Sequence, residues 1–255
     1  MITSNVWSKL LVALIGALSL VSFLWPFFIS VSAGTSQAAL AQTAFMLLMP
    51  AFLLLIVSQY SSGGIDSRQL AMLGVLIALN TVVRMLGAGT SGIETAFFLI
   101  IIGGYVFGTG FGFLLGAGSL LISGIISGGV GPWLPFQMMA AGLVGLGAGL
   151  LPKLPKARVA VLMVYAVIAS FGYGALMTSW NWPFLAGLGT SIGYVPGGGL
   201  LTNLGRFFSY QVLTGGLLWD AGRAVTTVIL LRLTAPALLA TLGRAARRAG
   251  FDNVK

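Results

Sequence analysis

Residues 103–151 read GGYVFGTGFGFLLGAGSLLISGIISGGVGPWLPFQMMAAGLVGLGAGLL. Two apolar, glycine-studded segments are joined by Gly-Gly-Val-Gly-Pro-Trp, and no charge occurs between Glu94 and Lys153. A chain that long without charge has no water-facing surface of its own, so it belongs in lipid or deep in a membrane bundle. Gly108, Gly112 and Gly116 stand four apart, and Gly124/Gly128 and Gly145/Gly149 repeat the spacing. Small residues four apart clear a slanted stripe on a helix and let backbones approach closely. The expectation is an all-α, polytopic membrane helix bundle, tightly packed, with polar groups gathered at one end.

The rest of the chain has the same character. Of its 255 residues 58% are hydrophobic and 7% charged, against roughly 25% charged in a soluble domain. No long polar linker divides the apolar segments, which favours one bundle over two domains. Cysteine and histidine are absent, which excludes disulfides, thiol chemistry and metal sites of the His/Cys kind. The four acids, Asp66, Glu94, Asp220 and Asp252, are scattered, so neither a carboxylate pair nor a metal cage is visible. Nothing calls for a cofactor. The first apolar run lacks a convincing cleavage signature and reads as a retained helix.

Eight spans are expected, at about 8–31, 38–59, 68–86, 95–107, 110–126, 133–151, 159–180 and 204–233. Trp25-Pro26 marks a kink or an interface in the first, and Pro50 lies in the second. Residues 181–203 form a long connection rich in Gly, Pro and aromatics, whose 193–199 part reads as a mobile lid. Residues 236–250, with Arg244, Arg247 and Arg248, read as a short amphipathic helix at a membrane surface. The chain then divides into two N-terminal helices (1–66), a six-helix core (67–233) and a basic tail (234–255).

With the N-terminus inside, the inner segments hold Lys9, Arg68, Lys153, Lys156, Arg158, Arg232, Arg244, Arg247, Arg248 and Lys255. Basic residues collect on the cytoplasmic side of membrane proteins. Both termini are therefore expected inside a bacterial cell membrane. Topology and lipid headgroups account for the formal net charge of +9 without nucleic acid.

In that orientation several polar and aromatic residues converge on the outer side. They are Arg84, Glu94, Trp133, Gln137, Trp180, Asn181, Asn203 and Arg206. Charge at a membrane edge is costly and marks a functional hypothesis. Two plainer readings stand beside it: Arg84 and Glu94 pair with each other or reach headgroups, and the tryptophans form an interfacial belt. The combination of aromatics, an amide, an arginine and a lid suits a small organic molecule better than an ion. Asp220 and Arg223, i and i+3 on the last span, share a face and can pair. On one continuous helix Asp220 lies ~21 Å inward of Arg206, in the inner half of the bilayer. The pair reads either as an internal packing device or as a contact for a partner subunit.

The run from FGTGFGF to GAGLLP resembles the central part of the substrate-binding (S) components of energy-coupling-factor (ECF) vitamin importers, a family of ABC transporters. Such proteins carry a glycine-rich helix pair, a Gly-Pro-Trp-type outer turn and an aromatic-Gln start to the next helix. The segment SRQLAMLGVLIALNTVVR is similar to their first helix, where small residues meet the coupling subunit; the matching positions here are Ala71, Gly74 and Ala78. LLWDAGRAVTTVILLRL resembles actinobacterial-type members. The resemblance covers about 67–233, so the first two spans stand as an N-terminal addition. It implies capture of a vitamin or related micronutrient from outside, with a lean to cobalamin or another large vitamin. It also implies partnership with a transmembrane coupling subunit and two ATP-binding subunits. The chain has no Gly-x-x-x-x-Gly-Lys-Ser/Thr loop, so ATP hydrolysis belongs to partners and the chain itself is not an enzyme. A stand-alone secondary transporter or channel is the leading rival; an assembly factor and a lipid-modifying enzyme are others. The enzyme would need a catalytic cluster that a histidine-free chain with one outer carboxylate does not offer.

Overall fold

The computed structural model describes residues 6–28, 47, 49–51, 53–55, 58, 67–87, 93–131, 133–185 and 189–249, without the side chains of 6–9 and 11–12. Residues 33–37, most of the second expected span, Asp66, Pro132, Asp252 and Lys255 lie outside that description, as does the side chain of Lys9. Three segments meet backbone to backbone at its centre: α3 (Phe97–Phe107), α4 (Thr109–Ile126) and α5 (Leu134–Leu150). A Cβ on Gly112 would strike the Gly145 carbonyl and stand 2.6 Å from the Gly104 Cα. One on Gly145 would strike the Gly112 carbonyl, one on Gly116 the Ala141 carbonyl, and one on Gly149 would lie 2.5 Å from the Thr109 nitrogen. These pairs step in opposite directions, so α4 and α5 are antiparallel along the stripe that the spacing predicts. The other glycines of the series act differently. Gly108, at φ 98°, makes the turn from α3 into α4, and Gly128, at φ 68°, makes the turn after α4. Both φ values favour glycine.

All eleven residues of α3 are buried. The helices around it are α2 (Ser67–Gly87), α4, α5, α6 (Arg158–Ser179) and α9 (Gly216–Arg248), with the short α7 (Trp182–Leu185) and α8 (Leu200–Leu213) between the last two. α1 (Val6–Phe23) and a 3-10 turn, Trp25–Phe27, precede them. Every regular element among the described residues is helical. Four helices, α2, α4, α6 and α9, are long and apolar enough to cross a membrane; the apolar part of α1, α3 and α5 are shorter. The outer faces are leucine- and valine-rich, with Leu86, Leu201 and Leu218 all at least three-quarters exposed. Such a surface suits hydrocarbon rather than water.

α2, α4 and α6 run toward one end of the bundle, and α3, α5 and α9 run away from it. That end carries Trp25, Trp180 and Trp182 and is called the aromatic end. The opposite, basic end carries Arg68, the Lys153–Arg158 turn and the end of α9. There the Lys153 ammonium donates to the Tyr105 carbonyl and lies 3.7 Å from the centre of the Tyr105 ring.

The expected eighth span is two helices. α8 ends at Leu213, Gly215 turns the chain in the left-handed region at φ 78°, and α9 begins at Gly216. The Thr214 hydroxyl donates to the Tyr210 carbonyl at 2.7 Å and closes the last turn of α8. Nor is the basic tail a separate helix: α9 continues through Pro236 to Arg248. Its buried stripe explains this. Ala224, Thr227, Leu231, Ala235, Leu239, Gly243 and Ala246 recur three or four apart to the end, so packing outweighs the bond lost at Pro236.

Gly145→Ala is expected to destabilise the protein by about 1–3 kcal/mol, because its methyl meets backbone that cannot give way. Gly172→Ala, on an α6 face with nothing within 4 Å, is expected to stabilise it by about 0.5–1 kcal/mol. Thermal unfolding midpoints in one detergent check the order; a Gly145→Ala midpoint equal to the parent's would refute the backbone-contact account.

Candidate functional site

Two groups of side chains occupy the aromatic end. The first is charged. Arg84, in the last turn of α2, donates from Nη1 to the Ser123 hydroxyl at 2.9 Å, and its Nε stands 4.0 Å from Glu94 Oε1. Glu94 Oε1 also accepts the Ala96 backbone N–H at 3.3 Å, just ahead of α3, where a carboxylate complements the helix dipole. Arg223 binds Asp220 at 2.6 Å and the Ser170 carbonyl at 3.1 Å. Its guanidinium lies 4.9 Å from the centre of the Tyr173 ring and 5.6 Å from that of Phe97. These two rings meet edge to face at 5.0 Å. Arg84, Glu94, Asp220 and Arg223 all lie within electrostatic reach of the Tyr173 hydroxyl. The Asp220 carboxylate fills the space that a Cβ on Gly174 would need.

This placement corrects the depth expected for Asp220. The break at Gly215 removes the continuous helix on which that distance was measured. Asp220 and Arg223 sit against Gly174 and Ser170, near the aromatic end of α6, and join Arg84 and Glu94 there. A second polar layer follows. Asn80, Ser119 and Thr227 each stand four residues from Arg84, Ser123 and Arg223, one turn deeper on the same face. All three are fully buried, and among the described residues no group bonds their side chains. Buried polar atoms are rarely left so.

The second group is aromatic and is knitted by the N-terminal segment. Trp25 Nε1 donates to the Trp180 carbonyl at 2.8 Å, and the Ser179 hydroxyl donates to the Phe23 carbonyl at 2.8 Å. Trp180 stacks on Phe136 at 3.9 Å with 10° between the planes, and Phe23 meets Phe136 edge-on. Trp25 touches Phe184 and Tyr194, while Phe27 touches Trp182 and Phe207. An apolar cavity of about 300 Å³ lies between this turn, α6 and α8, lined by Leu24, Phe27, Phe28, Ala175, Ser179, Leu200, Leu204 and Phe207.

The stretch 193–199, expected as a mobile lid, is tied down. Asn203 accepts from the Val195 N–H and donates to the Val195 carbonyl, both at 3.0 Å. Arg206 Nη1 donates to the carbonyls of Thr190 and Gly193, and Trp182 Nε1 to that of Ile192. Of the remaining expected site residues, Trp133 is 47% exposed and bonds the Gly129 carbonyl. Gln137 is half-buried beside Phe136. Asn181 keeps its Oδ1 buried with no donor. Ala71, Gly74 and Ala78 share an exposed face of α2, and nothing stands within 4 Å of a Cβ on Gly74.

Sequence reasoning missed Tyr173, Phe97, Ser123 and Phe136, and it took Trp25 only as a kink or interface marker. Gly172-Tyr173-Gly174 is the one local signal, a ring between two residues that leave it room. No protein-family model, characterised protein or solved structure matches this chain.

Trp25→Ala is expected to cost about 3–5 kcal/mol, and Trp25→Phe, which removes the bond to Trp180, about 1 kcal/mol. Denaturant or thermal titration gives both values; equal losses would deny the indole N–H its part. Asn203→Ala is expected to speed amide hydrogen exchange at Val195 and along 190–199 while leaving α4 and α5 protected. Unchanged exchange at Val195 would show that the asparagine does not hold the loop.

Proposed function

We propose that the chain is the membrane-embedded substrate-binding component of an ECF-type importer. On this reading α2–α6 and α9 form the six-helix core, and the aromatic end faces outward. A vitamin-type micronutrient enters there, and both termini lie in the cytoplasm. The basic end, with its lysines and arginines, faces the interior, as the charge distribution of membrane proteins favours. The observation that carries the reading is the exposed Ala71, Gly74 and Ala78 face of α2. An open stripe of small residues on an otherwise leucine-rich surface fits close approach by another helix better than contact with lipid. That helix belongs to a coupling subunit, which two ATP-binding subunits drive. The polar groups at the aromatic end are inward-facing and separate from that stripe, so substrate and partner contact different parts of the chain.

Affinity purification from the native membrane is expected to bring down a transmembrane coupling protein and ATP-binding proteins. Gly74→Leu is expected to remove them without changing the chain's own elution. Uptake by the chain alone in liposomes, with no co-purifying partner, would reverse the proposal in favour of a secondary transporter.

A further inference from the structure

We infer that the charged group at the aromatic end takes a solute whose head carries one anionic and one cationic group, as an amino acid does. This deepens the importer reading and rests on it for the direction of transport. Arg84 gives Nη1 to Ser123, and Arg223 gives Nη1 to Asp220 and Ser170. In both, Nε is buried and has no hydrogen-bond acceptor. Glu94 stands too far from Arg84 Nε, at 4.0 Å, to serve as one. Two guanidinium N–H groups without acceptors, in one cluster, match an incoming anionic oxygen.

The charge count decides which anion. Arg84, Arg223, Glu94 and Asp220 sum to zero. A ligand of net charge would leave one charge uncompensated in a low-dielectric interior, which is costly. A zwitterion keeps the balance. Its anionic group accepts from the arginine Nε–H groups, and its cationic group goes to the Glu94 carboxylate. Asn80, Ser119 and Thr227, one turn deeper, then hydrogen-bond the uncharged body of the solute or the water around it.

The test is isothermal titration of the full chain in lipid nanodiscs. Free amino acids serve as zwitterions, each with its carboxamide and its N-acetyl derivative. Nicotinate, thiamine and riboflavin serve as anionic, cationic and uncharged probes. At least one zwitterion is expected to bind, and blocking either charge is expected to weaken it about tenfold or more. Arg84→Gln and Glu94→Gln are expected to act alike; where a variant does not fold, the derivatives decide on the parent chain. Binding of nicotinate, thiamine or riboflavin that survives Arg84→Gln overturns the inference and leaves the importer reading standing. Silence to every probe, from a chain that still brings down its coupling subunit, overturns the inference alone. Silence together with the absence of such partners overturns both.

Discussion

Gly104, Gly112 and Gly145 meet where no side chain fits, and the arrangement of the other helices follows from that contact. It sets α3, α4 and α5 at backbone distance, where dispersion between main chains replaces side-chain interdigitation. α3 is thereby enclosed on every side. α2 then packs on α4, and α9 packs on α6 and α3, so the polar side chains on their inner faces are carried to one place. A methyl at any of the three glycines would push the helices apart and open the ring on which the charged group depends.

The aromatic end has two layers of organisation with different chemistry. The stacked pair Phe136 and Trp180 and the edge-on pair Trp182 and Phe207 each contact the N-terminal segment, through Phe23 and Phe27. They behave as a packed apolar plug, not as open platforms. The charged group keeps unpartnered polar atoms within a buried setting, which is the usual cost of a site held ready for a ligand. The N-terminal segment belongs to the first layer. Its Trp25 is almost completely buried and bonded to α6's end, so the described stretch from Phe23 to Phe27 is built into this end of the bundle.

Much of the fold was legible because each helix there is governed by local pattern. The glycine stripe of 108–116 and 145–149 announced the α4–α5 contact, and the boundaries of α2 to α6 fall within a few residues of expectation. The last third was harder to read. Thr214-Gly215-Gly216 sits inside a largely apolar stretch, and hydropathy alone does not register a turn between two helices of similar character. The Thr-Gly-Gly triplet was the available signal. The continuation through Pro236 was hidden because Ala235, Leu239 and Ala246 make a stripe of small and medium residues that does not stand out among alanines. The site was partly legible: charge in an apolar chain drew notice to Arg84, Glu94, Asp220 and Arg223. Their meeting was not, because it depends on how α6 and α9 align, and that alignment rests on a glycine, Gly174, making room for a carboxylate.

The shortness of α3 carries a geometric consequence. At ~1.5 Å per residue it is ~16 Å long, about half of a hydrocarbon core of ~30 Å. Because its neighbours shield it from lipid, nothing requires it to match that thickness. Its C-terminal end is level with the start of α4 and the end of α5, where a Cβ on Gly149 would meet the Thr109 nitrogen, so the shortfall falls at the aromatic end. Glu94, bonded to the Ala96 N–H just ahead of the first turn of α3, marks where that shortfall begins. With seven residues fewer than α4, α3 stops ~10 Å short of that helix, so the polar groups at its start sit well inside the span of the longer helices.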